Sequence, residues 1–334
     1  MEMVDNSVLL KKQRTKKTVK TNIRSWFYIL PFIILFLYGL IPLFYGLVIS
    51  FYSKFPIKST VAYEPVFTLN NFKALFGYGA RWETYGKPFW ITLGYTFAFD
   101  AVAVPCLILI PLILAYLINL EPKGYKIFRA IIYLPSVISG TIMGAIFVYL
   151  FNDSAYGFFN GLFGTEIKFI GTWWSRWAII LFASVWWQQG TNFLIFSAAL
   201  KNVDKSLYEA SSMDGCNRFQ QFIKVTLPGI RKQMILCIFT TVLGYLILYS
   251  QPALIKNLGE GGPDTPMMII QDGLGVEMDH SLGMAGFFTA ASWILALVSI
   301  LISIIQVRIF AGRKGGTNHA KRYNEYFKIE EKEA

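Results

Sequence analysis

The residues that could do chemistry are few, and they sit inside apolar runs. Asp100 lies roughly eleven residues into the run Phe89 to Leu120. A carboxylate at that depth is costly unless it pairs or faces water, so a functional role is the default reading. The same run holds no Lys, Arg or His that could relay a proton. Asp100 is therefore read as a cavity-facing carboxylate, structural or substrate-contacting, with proton coupling as the alternative. Ser184, Trp187, Gln188 and Thr191 follow the spacing i, i+3, i+4, i+7, and Thr241, Tyr245 and Leu248 do the same in a later run. Polar side chains aligned on one helix face point into a bundle or a pathway. The alternative is that the aromatic residues pack helices while the small polar ones bond across them. Cys106, Cys216 and Cys237 show no paired spacing, and His280 and His319 are isolated. The expectation is no disulfide, no metal, no cofactor and no nucleophile with a base beside it.

A second group of residues lies between two apolar runs, in Lys205 to Pro228, KSLYEASSMDGCNRFQQFIKVTLP. Leu207, Ala210 and Ser211 recur at helical spacing, and Ser206 with Glu209 has the form of a capping box, so a helix is predicted to begin near Asp204 or Ser206. Gly215 should close it, because glycine adopts the left-handed conformation at little cost. Asn217 with Gln220 is a second helix start, after which Phe219, Phe222, Ile223 and Leu227 are expected to share one face. Pro228 should end that helix and mark the turn into the next apolar run. Two short helices joined at a bend would lie across the end of a bundle.

The elements that must position these residues follow from composition. With 334 residues, 54% hydrophobic, 17% aromatic and 15% charged, and a mean hydropathy of +0.46, the chain is too apolar for a soluble domain. The predicted fold class is an all-α polytopic membrane protein with six spans, at about 26–51, 89–120, 131–151, 177–200, 234–255 and 284–310. Each approaches or exceeds the roughly 20 residues that cross a hydrocarbon core. Residues 1–25 form a basic tail, 26–312 the membrane domain with its polar loop at 204–230, and 313–334 a second tail. The first span lacks a cleavage site and is read as an anchor. Lys and Arg number 7, 3, 6 and 7 in the segments assigned inside and 5, 2 and 1 in those assigned outside. That asymmetry puts both termini and the 204–230 loop in the cytoplasm, although Lys54, Lys58 and Lys73 crowd the first outer loop. The net charge of +11 lies beside the spans, which suits lipid headgroups rather than nucleic acid.

Glu209-Ala210-Ser211, Gly215 and Val225-Thr226-Leu227-Pro228 resemble the EAA loop of binding-protein-dependent ABC importer permeases, E-A-A-x-x-x-G-x9-I-x-L-P, with Ser211 for the third Ala and Val225 for Ile. Over about residues 26 to 312 the chain resembles the carbohydrate branch, of maltose and multiple-sugar type. Phe67 to Phe72 looks like its G-L-x-N-Y stretch, Arg129 with Tyr133-Leu134-Pro135 like its R-x-x-x-x-L-P, Leu258 to Pro263 like its T-G-G-G-P loop, and Gly283-Met284-Ala285 like its G-x-A-x start of the last span. The resemblance implies that Glu209, Ala210, Ser211, Gly215, Leu227 and Pro228 form the coupling helix that docks into a groove of an ATPase. It implies as partners a second homologous permease, a pair of cytoplasmic ATPases and an extracytoplasmic sugar-binding protein, in a bacterial cytoplasmic membrane. A mid-membrane substrate site built from the helices flanking the loop would suit Trp187 and Tyr245 for stacking on sugar faces and Gln188 and Thr191 for hydroxyls.

No G-x-x-x-x-G-K-[ST] phosphate loop occurs, so the chain is expected not to be an enzyme, and ATP would be hydrolysed by a partner. The leading function is import of a sugar or oligosaccharide. The alternatives are import of glycerol phosphate or another organic anion, which a basic cavity would favour, and an ion-gradient-driven transporter, which would want ionisable relays or broken helices in two repeated halves.

Overall fold

A computed structural model describes residues 28–52, 66–79, 81–256, 264–280 and 284–311. The basic tail 1–25, the loop with Lys54 and Lys58, the Leu258 to Pro263 motif, Gly283, His319 and the tail beyond 312 lie outside the described residues. The chain divides into two compact units, one of residues 1–72 and 276–290, the other of residues 73–275 and 291–334.

Among the described residues four helices are long and apolar enough to cross a membrane. They are Tyr28–Ser50 (α1), Trp82–Asn119, Arg231–Lys256 and Ala285–Ile309, with mean hydropathies of 2.5, 2.7, 1.7 and 2.3 over their most apolar stretches. After the short helix Asn70–Leu75 (α2), the second opens with a π turn at Trp82–Gly86 and continues as α3, Lys87–Asn119, through Pro105 and Pro111. The third expected span, 131–151, is not a continuous helix. Tyr125–Tyr133 (α4) runs into a 3-10 turn at Leu134–Val137, and Gly140–Leu150 (α5) leaves at 98°. Pro135 and the extended backbone of Ile138 make the corner, and Ser139 caps α5 by accepting the Ile142 amide. Beyond the short helix Phe158–Phe163 (α6), Trp173–Lys201 (α7) has 29 residues, about 43 Å at 1.5 Å per residue. It is long enough to cross but less apolar than the four, since it carries Arg176, Gln188, Gln189 and Asn192. The stretch Arg231–Lys256 is also interrupted. Its first helix, Arg231–Leu246 (α11), ends before Ile247, and Ser250–Lys256 (α12) starts afresh. These breaks are absent from the expectation, because apolar composition carries no record of where the backbone turns.

The larger unit is held by α3 against α7 and α11, and by α5 against α12. Polar side chains inside it bond to backbone across helices. Asn192 of α7 donates to Leu107 O of α3 at 2.8 Å and to Thr241 Oγ1 of α11 at 3.5 Å, which ties three helices at one level. Trp187 Nε1 donates to Ile138 O at 2.7 Å and so fixes the corner between α4 and α5.

The polar loop folds as Lys205–Met213 (α8) and Arg218–Gln221 (α9), followed by a π turn at Phe222–Thr226 and Leu227–Gly229 (α10). Asp204 is the N-cap of α8 and accepts the Ser206 amide at 3.0 Å, a bond that holds its carboxyl below the usual carboxylate range. Ser206 is already inside the helix, so the expected Ser206–Glu209 capping box does not form. The Asn217–Gln220 box does form, with both bonds at 2.9 Å, and Gly215 closes α8 at φ +76°. Pro228 does not stop the helix. The widened π turn, where the Leu227 amide reaches Phe222 O, carries the chain into α10, and the break comes at Ile230.

In the smaller unit Asn71 is fully buried, and its side-chain amide donates to Ser50 O at 2.9 Å and Tyr52 O at 2.8 Å, which satisfies the carbonyl end of α1. Gly286 packs against the same point. A Cβ there would strike Tyr52 O and lie 2.6 Å from Asn71 Nδ2 and 3.0 Å from Ile49 O. Gly286→Ala should therefore lower the thermal midpoint of the detergent-solubilised protein by several degrees, while Gly94→Ala, with nothing within 4 Å, should leave it unchanged or slightly raised. Asn71→Ala should cost about 1–3 kcal/mol, since it leaves buried carbonyls unpaired. Equal midpoints for the two glycine variants would contradict the packing described.

Candidate functional site

The loop 204–230 has one face sewn into the protein and one face bare. Phe222, Leu227 and the fully buried Ile230 pack with Leu112 of α3 and with Phe196 and Leu200 of α7, and Phe222 meets Tyr116 edge-on at 5.0 Å. The helical face expected to unite Phe219, Phe222, Ile223 and Leu227 is thus divided. Phe219 is 70% exposed, and with Leu207, Met213 and Ile223 it leaves large apolar side chains in the open. Glu209 and Ala210 stand exposed among them, and Glu209 makes no ion pair or hydrogen bond among the described residues. Exposed apolar residues on a loop that also carries an uncommitted carboxylate have the composition of a docking surface.

Side-chain bonds not anticipated from sequence clasp the two helices together. Tyr208 Oη and Thr226 Oγ1 are 2.8 Å apart, and Gln221 Nε2 donates to Ser212 Oγ at 2.7 Å. Ser211 bonds back to Tyr208 O at 2.8 Å, so its hydroxyl is spent within α8. A groove of about 1100 Å³ between the loop and the ends of α3 and α7 is lined by Tyr116, Asn119, Lys201, Tyr208, Cys216 and Gln221 among others.

The second part of the site is a pocket of about 440 Å³ on α7 and the interrupted α11–α12 stretch. Of the expected pathway residues it brings together Trp187, Gln188, Tyr245 and Leu248. Gly244, Ile247, Tyr249, Ser250 and Gln251 complete the lining, and sequence reasoning missed them. Three of the five lie at or beside the helix break, where the backbone leaves the helical register that the periodicity assumes. Irregular backbone at membrane depth is tolerated where it is buried in protein or lines a cavity. Here Thr265 Oγ1 donates to Leu248 O at 2.7 Å and satisfies one freed carbonyl.

Four expected pathway residues do not line the pocket. Thr191 is exposed elsewhere on α7, and Thr241 is fully buried beside Asn192. Ser184 and Asp100 are also buried, at 0% and 6% exposure, and neither lines the pocket. Asp100 Oδ1 and Oδ2 lack a hydrogen-bond partner among the described residues. The arrangement offers aromatic faces, amides and hydroxyls for binding.

Residues 89–314 match the family model described as binding-protein-dependent transport system inner membrane component. The chain is 32% identical over 304 residues to the probable ABC transporter permease protein YesP of Bacillus subtilis (strain 168), covering 89% of this chain and 92% of that protein. It is 26% identical over 298 residues to the arabinooligosaccharides transport system permease protein AraP of the same organism, covering 86% and 87%. It is also 26% identical over 305 residues to the lactose transport system permease protein LacF of Rhizobium radiobacter, covering 88% and 96%. In fold it is similar to a chain in the crystal structure of a bacterial ABC transporter involved in the import of the acidic polysaccharide alginate, with a TM-score of 0.69 at 22% identity over 90% of this chain and 99% of that one. With the match covering residues 89–314 and a relative 32% identical over nearly its whole length, this chain belongs to the binding-protein-dependent transport system inner membrane component family, the membrane-embedded permeases of ABC importers.

Proposed function

We propose that this chain is one of two permease subunits of an ATP-driven importer for a sugar or oligosaccharide, and that it is coupled to a separate ATPase through residues 204–230. The observation that carries the reading is the two-faced loop. Phe222, Leu227 and Ile230 are set into the core shared by α3, α7 and α11, while Leu207, Glu209, Ala210 and Phe219 on the other side are free for a partner. A push on the bare face would be delivered to α7 and α11, the helices that line the pocket. The Tyr208–Thr226 and Gln221–Ser212 bonds make α8 and α9 move as one body. A loop that deformed instead would dissipate the push.

The rest of the assembly follows from this reading. The described helices fit six passages if the bent α4–α5 pair and the less apolar α7 each count as one, with both termini and the loop on the cytoplasmic side of a bacterial inner membrane. The sequence has no phosphate loop, so a pair of cytoplasmic ATPases supplies the energy. An extracytoplasmic binding protein delivers the cargo, and a second homologous permease forms the other half of the pathway. Saccharide cargo agrees with the sugars named for the relatives AraP and LacF and with a pocket of aromatic, amide and hydroxyl groups. Rigid-body rocking of the two permeases, driven by ATPase closure on the bare face of the loop, would alternate access to that pocket.

In cells carrying the whole importer, Glu209→Ala should reduce sugar uptake by about tenfold to a hundredfold, the weight of one charge-assisted contact. The protein should still reach the membrane at a normal level. Uptake at the wild-type rate would reduce the loop to a capped hairpin without a coupling role. Tyr208→Phe removes only the bond to Thr226, so more ATP should be hydrolysed per sugar carried while the complex stays assembled. An unchanged ratio would mean that the clasp does not transmit force.

A further inference from the structure

The segment 152–172, between α5 and α7, folds with its polarity reversed. Its short helix α6 buries its polar residue and leaves its apolar ones outside. Asn160 is 1% exposed, and its side-chain amide uses both donors and both acceptor positions within the segment. Nδ2 donates to Asn152 O at 3.1 Å and to Ile167 O at 2.9 Å, while Oδ1 accepts the Thr165 hydroxyl and the Ile167 amide, each at 3.0 Å. Asp153 accepts the Ile170 amide at 2.6 Å, and Arg176 of α7 donates to Ile170 O. The segment is thus satisfied from within and tied to the start of α7.

What it presents outward is apolar. Phe158, Leu162, Phe163 and Ile167 are exposed, Leu162 at 62% and Phe163 at 68%, and Trp174 follows in the first turn of α7. The charged residues of 152–172 are Asp153, which is already bonded, Glu166 and Lys168. A surface helix facing water carries its polar side outward, the reverse of this arrangement. A binding protein that docks and leaves in each cycle needs a surface that water also tolerates, and such transient interfaces are no more apolar than the rest of a protein. A permanent apolar neighbour fits better.

The membrane is adjacent. The segment lies at the end of α7 opposite the loop 204–230, about 43 Å away along that helix. Exposed Phe182 on α7 is joined to exposed Phe163 by a run of rings. Its centroid lies 6.5 Å from Phe151, Phe151 lies 5.1 Å from Phe159, and Phe159 stacks on Phe163 at 6.5 Å. The apolar surface of a membrane-embedded helix therefore continues onto α6 without a polar gap. Aromatic side chains at such a place sit at the boundary between headgroups and acyl chains.

We propose that segment 152–172 is a lipid-seated foot, with Phe158, Leu162 and Phe163 in the headgroup–acyl boundary of the leaflet opposite the loop 204–230. The assignment goes beyond the transport reading and holds whichever sugar is carried.

The test uses the whole importer, both permeases with the ATPases, in proteoliposomes of phosphatidylethanolamine and phosphatidylglycerol. Cys106, Cys216 and Cys237 are replaced by Ser, and a nitroxide is attached to Leu162→Cys, Phe163→Cys or, as an exposed loop control, Pro122→Cys. Collisions with oxygen, which concentrates in lipid, are compared with collisions with a water-soluble nickel chelate. The oxygen-to-nickel ratio at 162 and 163 should exceed that at 122 by about fivefold or more, the contrast between a boundary-seated and a solvated side chain. A ratio equal to the control would put these side chains in water. Exclusion of both reagents would put protein over them, the second permease being the permanent candidate. A nickel-favoured ratio that changes only when the binding protein is added would make the segment a docking face. Each of these three results overturns the proposal. Sugar uptake by the same proteoliposomes tests the transport reading separately.

Discussion

In a chain this apolar, any polar group carried to membrane depth must find its partner inside the protein, and most of the architecture follows from that constraint. Asn192 exists at its depth because it bonds a carbonyl of α3 and a hydroxyl of α11, and in doing so it sets the level at which three helices meet. Trp187 spends its indole N–H on the carbonyl of Ile138, which lets the chain turn between α4 and α5 without an orphaned group at the corner. Asn71 closes the carbonyl end of α1 by the same logic. Where the α11–α12 stretch gives up its helical bonds, Thr265 takes one carbonyl and a pocket opens at the break. Asp100, Trp177 and Ser197 are among the exceptions to full pairing in the described residues.

The loop 204–230 answers to a different environment. Outside the apolar bundle, short helices are marginal on their own, and these persist because each end is capped and the hairpin is anchored. Asp204 and the Asn217–Gln220 box begin the two helices, Gly215 separates them, and three apolar residues pin the pair to the bundle. What remains exposed is too apolar to be an ordinary solvated face. The proposed coupling therefore needs no moving part inside the loop. It needs only that a body fixed to α7 and α11 be pushed.

Helix positions were legible because an apolar run of 20 or more residues has few alternatives. The observed helices 87–119, 173–201 and 285–311 begin and end within a few residues of the runs read from sequence. Caps with a local signal, Gly215 and Asn217–Gln220, were legible for the same reason. The Ser206–Glu209 pattern misled, since Asp204 two residues earlier offers a side chain that also reaches the helix start. Contacts between distant residues were invisible. Nothing near Tyr208 announces Thr226, and the 98° corner at Pro135 and the break after Leu246 depend on what packs against them. The stripe Ser184, Trp187, Gln188 and Thr191 shares a face in sequence, yet the pocket admits only Trp187 and Gln188, since Ser184 is fully buried and Thr191 is exposed outside it.

Coupling requires that the bare face of the loop touch an ATPase. Cysteine cross-linking in native membranes measures that directly, with a thiol at Ala210, which is exposed and forms no part of the clasp, against thiols placed along the groove of the partner ATPase. A cross-link is expected at defined groove positions, with a yield that changes when ATP is bound. A thiol at Pro122, in the loop between α3 and α4, should react less. No cross-link at Ala210, or one equalled by Pro122 and indifferent to ATP, would contradict it.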